Sequence, residues 1–358
     1  MLHDRIRRAR LLRGLSLEAL ARSLGDISKQ GLSKFETGGP PPNSTRLLQL
    51  AKALSVKPEY FFRPDGVQLS ALEFRKLARM PQKRQDQIGE QMRDHLERYA
   101  SLERCFEPDA AAQPPLQPAR AFGVSSFEQA ESAAEELRAQ WAIGGDAIAH
   151  LAELLEEHGI KVALLDDHDG FDGACAATHD EQHVLIALNG GRPGERIRFT
   201  AAHELGHWVM DLPADMPEKG KETCCHRFAG AFLYPAERVR ADFGSHCRTR
   251  VLAAELLNAK RRYGVSMALA LRRLKDLQLI TEPGYTSMNI QFATHGWKKA
   301  EPEPLLAEQP RRFESLVYRA LAEDLISLPR AAELMRVDAA ELDPGLVRFG
   351  GNVPARLG

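Results

Sequence analysis

Several things are scarce in this sequence, and each scarcity narrows what the protein is. No stretch approaches the ~18 consecutive apolar residues of a membrane span. The basic start, "MLHDRIRRARLLRG", lacks the roughly 7–15-residue apolar core of a secretory signal. Cysteine is sparse and odd in number (Cys105, Cys175, Cys224, Cys225 and Cys247), with irregular spacing that argues against a disulfide framework. A cytoplasmic protein with no membrane partner is therefore expected. Net charge is also nearly absent, at -1, so the molecule as a whole has no bias toward nucleic acid. That neutrality hides an asymmetry, because residues 1–66 hold 12 Lys/Arg against 6 Asp/Glu. Internal repeats are missing as well.

What is present is a chain of 358 residues, 44% hydrophobic and 27% charged, of the globular kind. Residues 1–66 read as a unit of five short helices, with Ser16 as an N-cap and Gly25 as a stop. Residues 67–106 read as a charged, partly exposed helical linker broken near Pro81. Residues 107–124 are rich in proline and alanine and read as a flexible linker in which a packed strand or helix is not expected. From 125 to 280, amphipathic helices flank two aliphatic runs, "KVALLDD" and "HVLIALN", that read as strands. Residues 281–358 turn loop-rich from Pro283 and then helical. The expected fold class is an all-α N-terminal domain followed by a mainly α domain with a small β-sheet (α+β).

The stretch "RFTAAHELGHWVMD" carries the chemistry. On a helix, His203 and His207 share a face, so both imidazoles can address one metal ion. Glu204, next to the first histidine, reaches water beside that metal rather than the metal itself. Gly206 leaves room for another segment to approach. No third histidine follows Trp208, so a third ligand must come from elsewhere. Glu222 in "KETCCHRFAGAFLYP" is the best candidate, and His226 lies four residues on. Taken alone, Glu222 reads more readily as a carboxylate favoured at a helix N-terminus.

"RIRFTAAHELGHWVM" followed by "ETCCHRFAGAFLYP" resembles the ImmA/IrrE-type metallopeptidases, over about 150 residues reaching back to "AAEELRAQWAI" and forward to "YGVSMALALRRLKDLQLI". The resemblance implies a zinc cofactor (Zn2+) held by His203, His207 and Glu222, with Glu204 as general base. His226 stands where the family usually has asparagine, beside the ligand set. The resemblance also implies an endopeptidase that cuts a specific protein, typically a helix-turn-helix repressor encoded nearby, to derepress stress-response, defence or mobile-element genes.

"LSLEALARSLGDISKQGLSKFETGG" has helix-turn-helix logic and resembles the XRE (Cro/C1-type) DNA-binding domain. Leu17, Leu20 and Ala21 are its packing positions. Lys29, Gln30, Ser33 and Lys34 then face the major groove, glutamine suiting adenine and lysine guanine. The same surface could dock a protein instead, and a homodimer is compatible with it. Four cysteines read as small apolar fillers. Cys105, at the end of the linker helix, is the candidate fourth, inhibitory zinc ligand, with Cys175 a weaker one and an inert thiol the plainer reading. Two competing functions follow from other classes: a transcription factor whose metallopeptidase-like domain senses a ligand without proteolysis, and an antitoxin-like binding module. Glu204 discriminates, since a pure sensor needs no base beside the metal.

Overall fold

The computed structural model describes residues 1–63, 67–70, 80–106, 122–166, 170–179 and 181–342. It opens with α1 (Leu2–Leu12), α2 (Leu17–Leu24), α3 (Lys29–Glu36) and α4 (Ser44–Ala53). The last three start on side chains that accept from the helix backbone: Ser16 from Ala19, Ser28 from Gly31 and Asn43 from Arg46. Gly25 closes α2 at φ 79, a left-handed stop. The fifth expected helix is instead a 3-10 turn, Pro58–Phe62, which buries Tyr60 and Phe61 among Ile6, Ala9, Leu20, Leu32 and Leu50. Arg10 grips Glu36 through two bonds of 2.7 and 2.6 Å, tying α1 to α3.

Helix α5 (Gln82–Glu103) begins directly after Pro81. It is not the partly exposed linker expected. Ile88, Met92, Leu96 and Tyr99 form a buried stripe at helical spacing. Its charges are satisfied inside the fold: Arg5 and Arg8 reach Glu97 at 2.5 and 2.8 Å, and Asp94 takes Arg98 at 2.8 Å. A charged sequence misleads here because some of these charges find partners far along the chain, as Glu97 does in Arg5.

Next come β1 (Phe122–Gly123), α6 (Phe127–Gln140), α7 (Leu151–Glu157), β2 (Ile160–Leu165), β3 (Gly173–Ala177) and β4 (Val184–Asn189). They are followed by α8 (Gly194–Val209), β5 (Met210–Asp211), α9 (Glu218–Leu233), α10 (Ala236–Phe243), α11 (Ala253–Tyr263), α12 (Met267–Asp276) and α13 (Glu282–Thr294). The chain then forms α14 (Arg312–Ala322) and α15 (Leu328–Met335). Three expectations need correction. The end of the 107–124 segment is not free linker, because Phe122 and Gly123 pair in parallel with Met210 and Asp211, hiding the Phe122 ring; residues 107–121 lie outside the described residues. β3 was not expected, since "GACAA" has no β-branched residue. Its small side chains fit a close approach: a Cβ on Gly173 would stand 2.5 Å from the Thr200 methyl of α8. Pro283 opens a helix rather than a loop, in the first turn of α13 where its missing N–H costs nothing.

The sheet runs β2-β4-β3. β2 and β4 are parallel, from Ile160↔Val184 to Leu165↔Asn189. No helix among the described residues is long and apolar enough to cross a membrane.

Contacts divide the chain into two compact units, and neither is one continuous stretch. The first holds Met1–Gln113, Ala176–His183 and Arg311–Gly358; the second holds Pro114–Cys175 and Val184–Pro310. Region 281–358 is thus shared out. α14 and α15 complete the first unit by packing Val317, Ala320, Ala332 and Leu334 on Tyr99, Leu102 and Phe106. α13 stays with the second.

The first unit carries a pH signature. Burial pushes the Glu90 carboxyl up from 4.5 to about 7, opposed by Arg93 and Arg8 and reinforced by Glu97 and Asp94. The folded state then holds a proton that the unfolded state has lost, so this group's contribution falls as pH rises from 4.5 through about 7. Glu90→Gln is expected to flatten that part of the melting-temperature profile. An unchanged slope between pH 5 and 7.5 would show that Glu90 does not set it.

Candidate metal centre

Helices α8 and α9 both start just after a proline, Pro193 and Pro217, and cross closely. α8 is buried almost all round, through Ile197, Ala201, Ala202, Leu205, Trp208 and Val209. α9 buries Cys224, Cys225, Phe228, Ala231 and Phe232. The space beside Gly206 is taken by Phe228: a Cβ there would sit 2.9 Å from the phenylalanine ring. That approach sets the spacing at which α9 offers Glu222 to α8.

The side chains meet where the helices do. Nε2 of His203 lies 3.2 Å from Nε2 of His207. Glu222 places Oε2 at 3.2 Å from His203 and Oε1 at 3.4 Å from His207. Among the described residues, these three form the one group of histidine, cysteine and acidic side chains close enough to share an ion. The donor set suits zinc. Bonds of ~2.0–2.1 Å in a tetrahedron put ligand atoms about 3.4 Å apart, close to the spacing seen here. Two imidazoles and a carboxylate also leave a coordination position for water, as a catalytic site requires.

Glu204 is buried at 2% exposure on the turn that carries His203. Glu222 stands on the fifth residue of α9, a full turn in, because the helix begins at Glu218. The N-terminal carboxylate reading is weakened accordingly. His226 is exposed, with its ring 4.6 Å from that of His203. Phe199 stacks on His226 at 5.7 Å and on His203 at 6.3 Å. Sequence reasoning passed over Phe199, although it stands one turn before His203 in the quoted stretch.

Two other anchors of α8 also escaped it. Lys260, fully buried, joins Glu195 at 2.7 Å to Glu301 at 3.1 Å. Arg198 pairs with Glu308, which also accepts from the Ala152 backbone at 2.9 Å. Residues 301–308 therefore form an acidic strap across the start of the metal helix, with Leu305 O accepting from Gly194 N at 2.9 Å. Glutamates scattered far downstream gave no local signal of this.

Cys105 is not in the metal group. It packs on the hydrophobic cluster of α5, α14 and α15 in the first unit, and its thiol donates to Ser101 O at 3.4 Å. Cys175, Cys224 and Cys225 are buried fillers, whereas Cys247 is exposed and fills nothing, contrary to expectation. On α3, Lys29, Gln30 and Lys34 are exposed and Ser33 is half-buried.

Comparison with known proteins agrees with this layout. Residues 6–61 match the helix-turn-helix family, and residues 155–275 match the IrrE N-terminal-like domain of peptidase family M78. The radiation response metalloprotease IrrE of Deinococcus deserti is 30% identical over 117 residues, which take in 26% of this chain and 42% of that protein. The match thus spans less than half of that relative's length. An XRE-type helix-turn-helix domain and an IrrE-like metallopeptidase domain are therefore both present in this chain.

Proposed function

We propose that this protein is a zinc-dependent endopeptidase that cleaves one partner protein, a helix-turn-helix repressor encoded nearby, and so releases stress-response, defence or mobile-element genes. The convergence of His203, His207 and Glu222 within 3.2–3.4 Å carries the reading. A zinc ion would be held by His203, His207 and Glu222 and would supply Lewis-acid polarisation there. Glu204, kept out of bulk solvent, takes the proton of the attacking water and hands it to the departing amine nitrogen. Phe199 and His226 flank the His203 ring and hold its orientation. The N-terminal domain concentrates the enzyme near DNA through Lys29, Gln30, Ser33 and Lys34, where a DNA-bound repressor is found. The name of the relative, a radiation response metalloprotease, supports a stress role.

The metal assignment has a direct test. The purified chain is expected to hold about one zinc per molecule. Glu222→Ala and His207→Ala are each expected to lose it at micromolar free zinc while keeping the wild-type circular dichroism spectrum. Full zinc occupancy in both variants would remove the basis for the reading.

A further inference from the structure

Residues 301–308 lie beyond the 155–275 stretch that matches the peptidase family, yet they grip the start of α8, the helix of His203 and His207. The strap has no helix or strand of its own, and none of residues 301–310 is fully buried. Leu306 is 92% exposed, so polar contacts carry most of its hold. Glu303, between two prolines, is kept in left-handed backbone at φ 52, which non-glycine residues rarely adopt. The path of the strap is therefore imposed by its contacts rather than by local preference.

What the strap holds, in contrast, is buried: Lys260, Glu195 and Arg198. Glu301 takes Lys260 at 3.1 Å and accepts from the Met267 and Ala268 backbone at 2.7 and 3.0 Å, which fastens the strap to α12. Leu305 makes two bonds to the first turn of α8. Its carbonyl accepts from Gly194 N at 2.9 Å, one of the donors a helix leaves unmet at its start, and its N–H donates to Glu195 at 3.0 Å. Glu308 takes Arg198 one turn further along. The fit is close: a Cβ on Gly194 would stand 2.7 Å from the Leu305 oxygen and nearer still to that of Leu306.

We infer that the 301–308 strap is a positioning element of the metal centre: Leu305 on Gly194 and Glu308 on Arg198 fix the start of α8, and so hold the Phe199 ring against His203. The inference rests on the metal reading proposed above. Arg198 immediately precedes Phe199, whose ring packs on those of His203 and His226 at 6.3 and 5.7 Å. A helix start that frays as far as Arg198 lets that ring move. The other end of α8 stays anchored, where Gly206 meets Phe228 and Met210 pairs with Phe122. Arg198 also keeps its bond to Ile148 O at 2.7 Å. Loss of the strap therefore loosens one end of α8 and leaves the fold standing.

The test uses the full chain with zinc, or with cobalt(II), whose visible absorption bands report the geometry of its ligands. Glu308→Gln and Gly194→Ala are each expected to weaken zinc binding about tenfold in competition with a chelator, the low end of what outer contacts to metal ligands contribute. Both should also shift the cobalt bands, and deuterium uptake at residues 194–200 of the metal-free chain should rise. Gly194→Ala is the sharper variant, because alanine favours a helix over glycine and only the collision with the strap opposes it. Phe199→Ala should shift the cobalt bands in the same way, and adding Glu308→Gln to it should shift them little further. Lys275→Gln, on an exposed pair with Glu282 at the far end of α12 from Glu301, should match wild type in every readout. Variants that melt earlier but keep the wild-type cobalt bands and zinc affinity would overturn the inference, as would an equal change in Lys275→Gln. A wild-type chain that binds neither metal would instead remove the metal reading, and this inference with it.

Discussion

Glu204→Gln is expected to lower peptide cleavage by about 10²–10⁴-fold, the range that a general base contributes, while zinc content and melting temperature stay near wild type. The separation follows from position. His203, His207 and Glu222 converge without Glu204, so glutamine removes the proton acceptor and leaves the metal donors in place. Glutamine also matches the buried volume at this 2%-exposed position, so α8 should pack unchanged. Zinc content by atomic emission and cleavage by mass spectrometry are read on the same sample. A variant that keeps its zinc and cuts at the wild-type rate would exclude Glu204 as the base. A variant that loses zinc would place Glu204 among the ligands.

Arg273→Met should destabilise the second unit by about 3–5 kcal/mol, the usual cost of breaking a buried ion pair from one side. Arg273 is fully buried and forks onto Glu131 of α6 at 2.9 and 2.5 Å. It also donates to Tyr234 O, at the end of α9, at 3.0 Å. One guanidinium thus fastens α6 and α12 to the helix that carries Glu222. Burial raises the Glu131 pKa, yet the hydrogen bonds and charges of Arg273 and Arg227 outweigh it and hold the carboxyl below its ordinary value. A depressed carboxyl stabilises the fold above its unfolded pKa, and that contribution fades as pH falls through the folded value. Arg273→Met should therefore remove part of the acid sensitivity together with the stability. Urea unfolding at pH 7 and pH 4 measures both. The double change Arg273→Met with Glu131→Leu should cost less than the sum of the two single changes, since both halves of the pair go together while Arg227 keeps Asp276 at 3.5 Å. If it costs more, packing rather than charge explains the loss.

The helix that carries His203 and His207 was legible because its information is local. Residues four apart on a helix share a face, and the two Nε2 atoms do lie 3.2 Å apart. The short N-terminal helices were legible for the same reason, with Ser16 capping α2 and Gly25 stopping it where their side chains suggest. What was not legible depends on distance along the chain. Arg98 donates to Leu334 O and Arg63 to Glu333, contacts spanning 236 and 270 residues, and no local pattern announces them. They turn an apparent linker helix into the centre of a unit closed by the C-terminal region. β3 was hidden for a different reason: its alanines and glycine satisfy a steric demand from α8, which overrides strand propensity. Pro283 misled because proline reads as a breaker unless the residue before it caps a helix, as Thr281 does two positions earlier.

The central claim is that the trio and Glu204 together cut a protein. It is tested most directly by co-expressing the chain with the product of the adjacent gene, wild type against Glu204→Gln, and searching that product for a new terminus by mass spectrometry. The account predicts one discrete new terminus with the wild-type chain and none with Glu204→Gln. An intact partner beside a fully zinc-loaded wild-type chain, or the same new terminus with both chains, would contradict it.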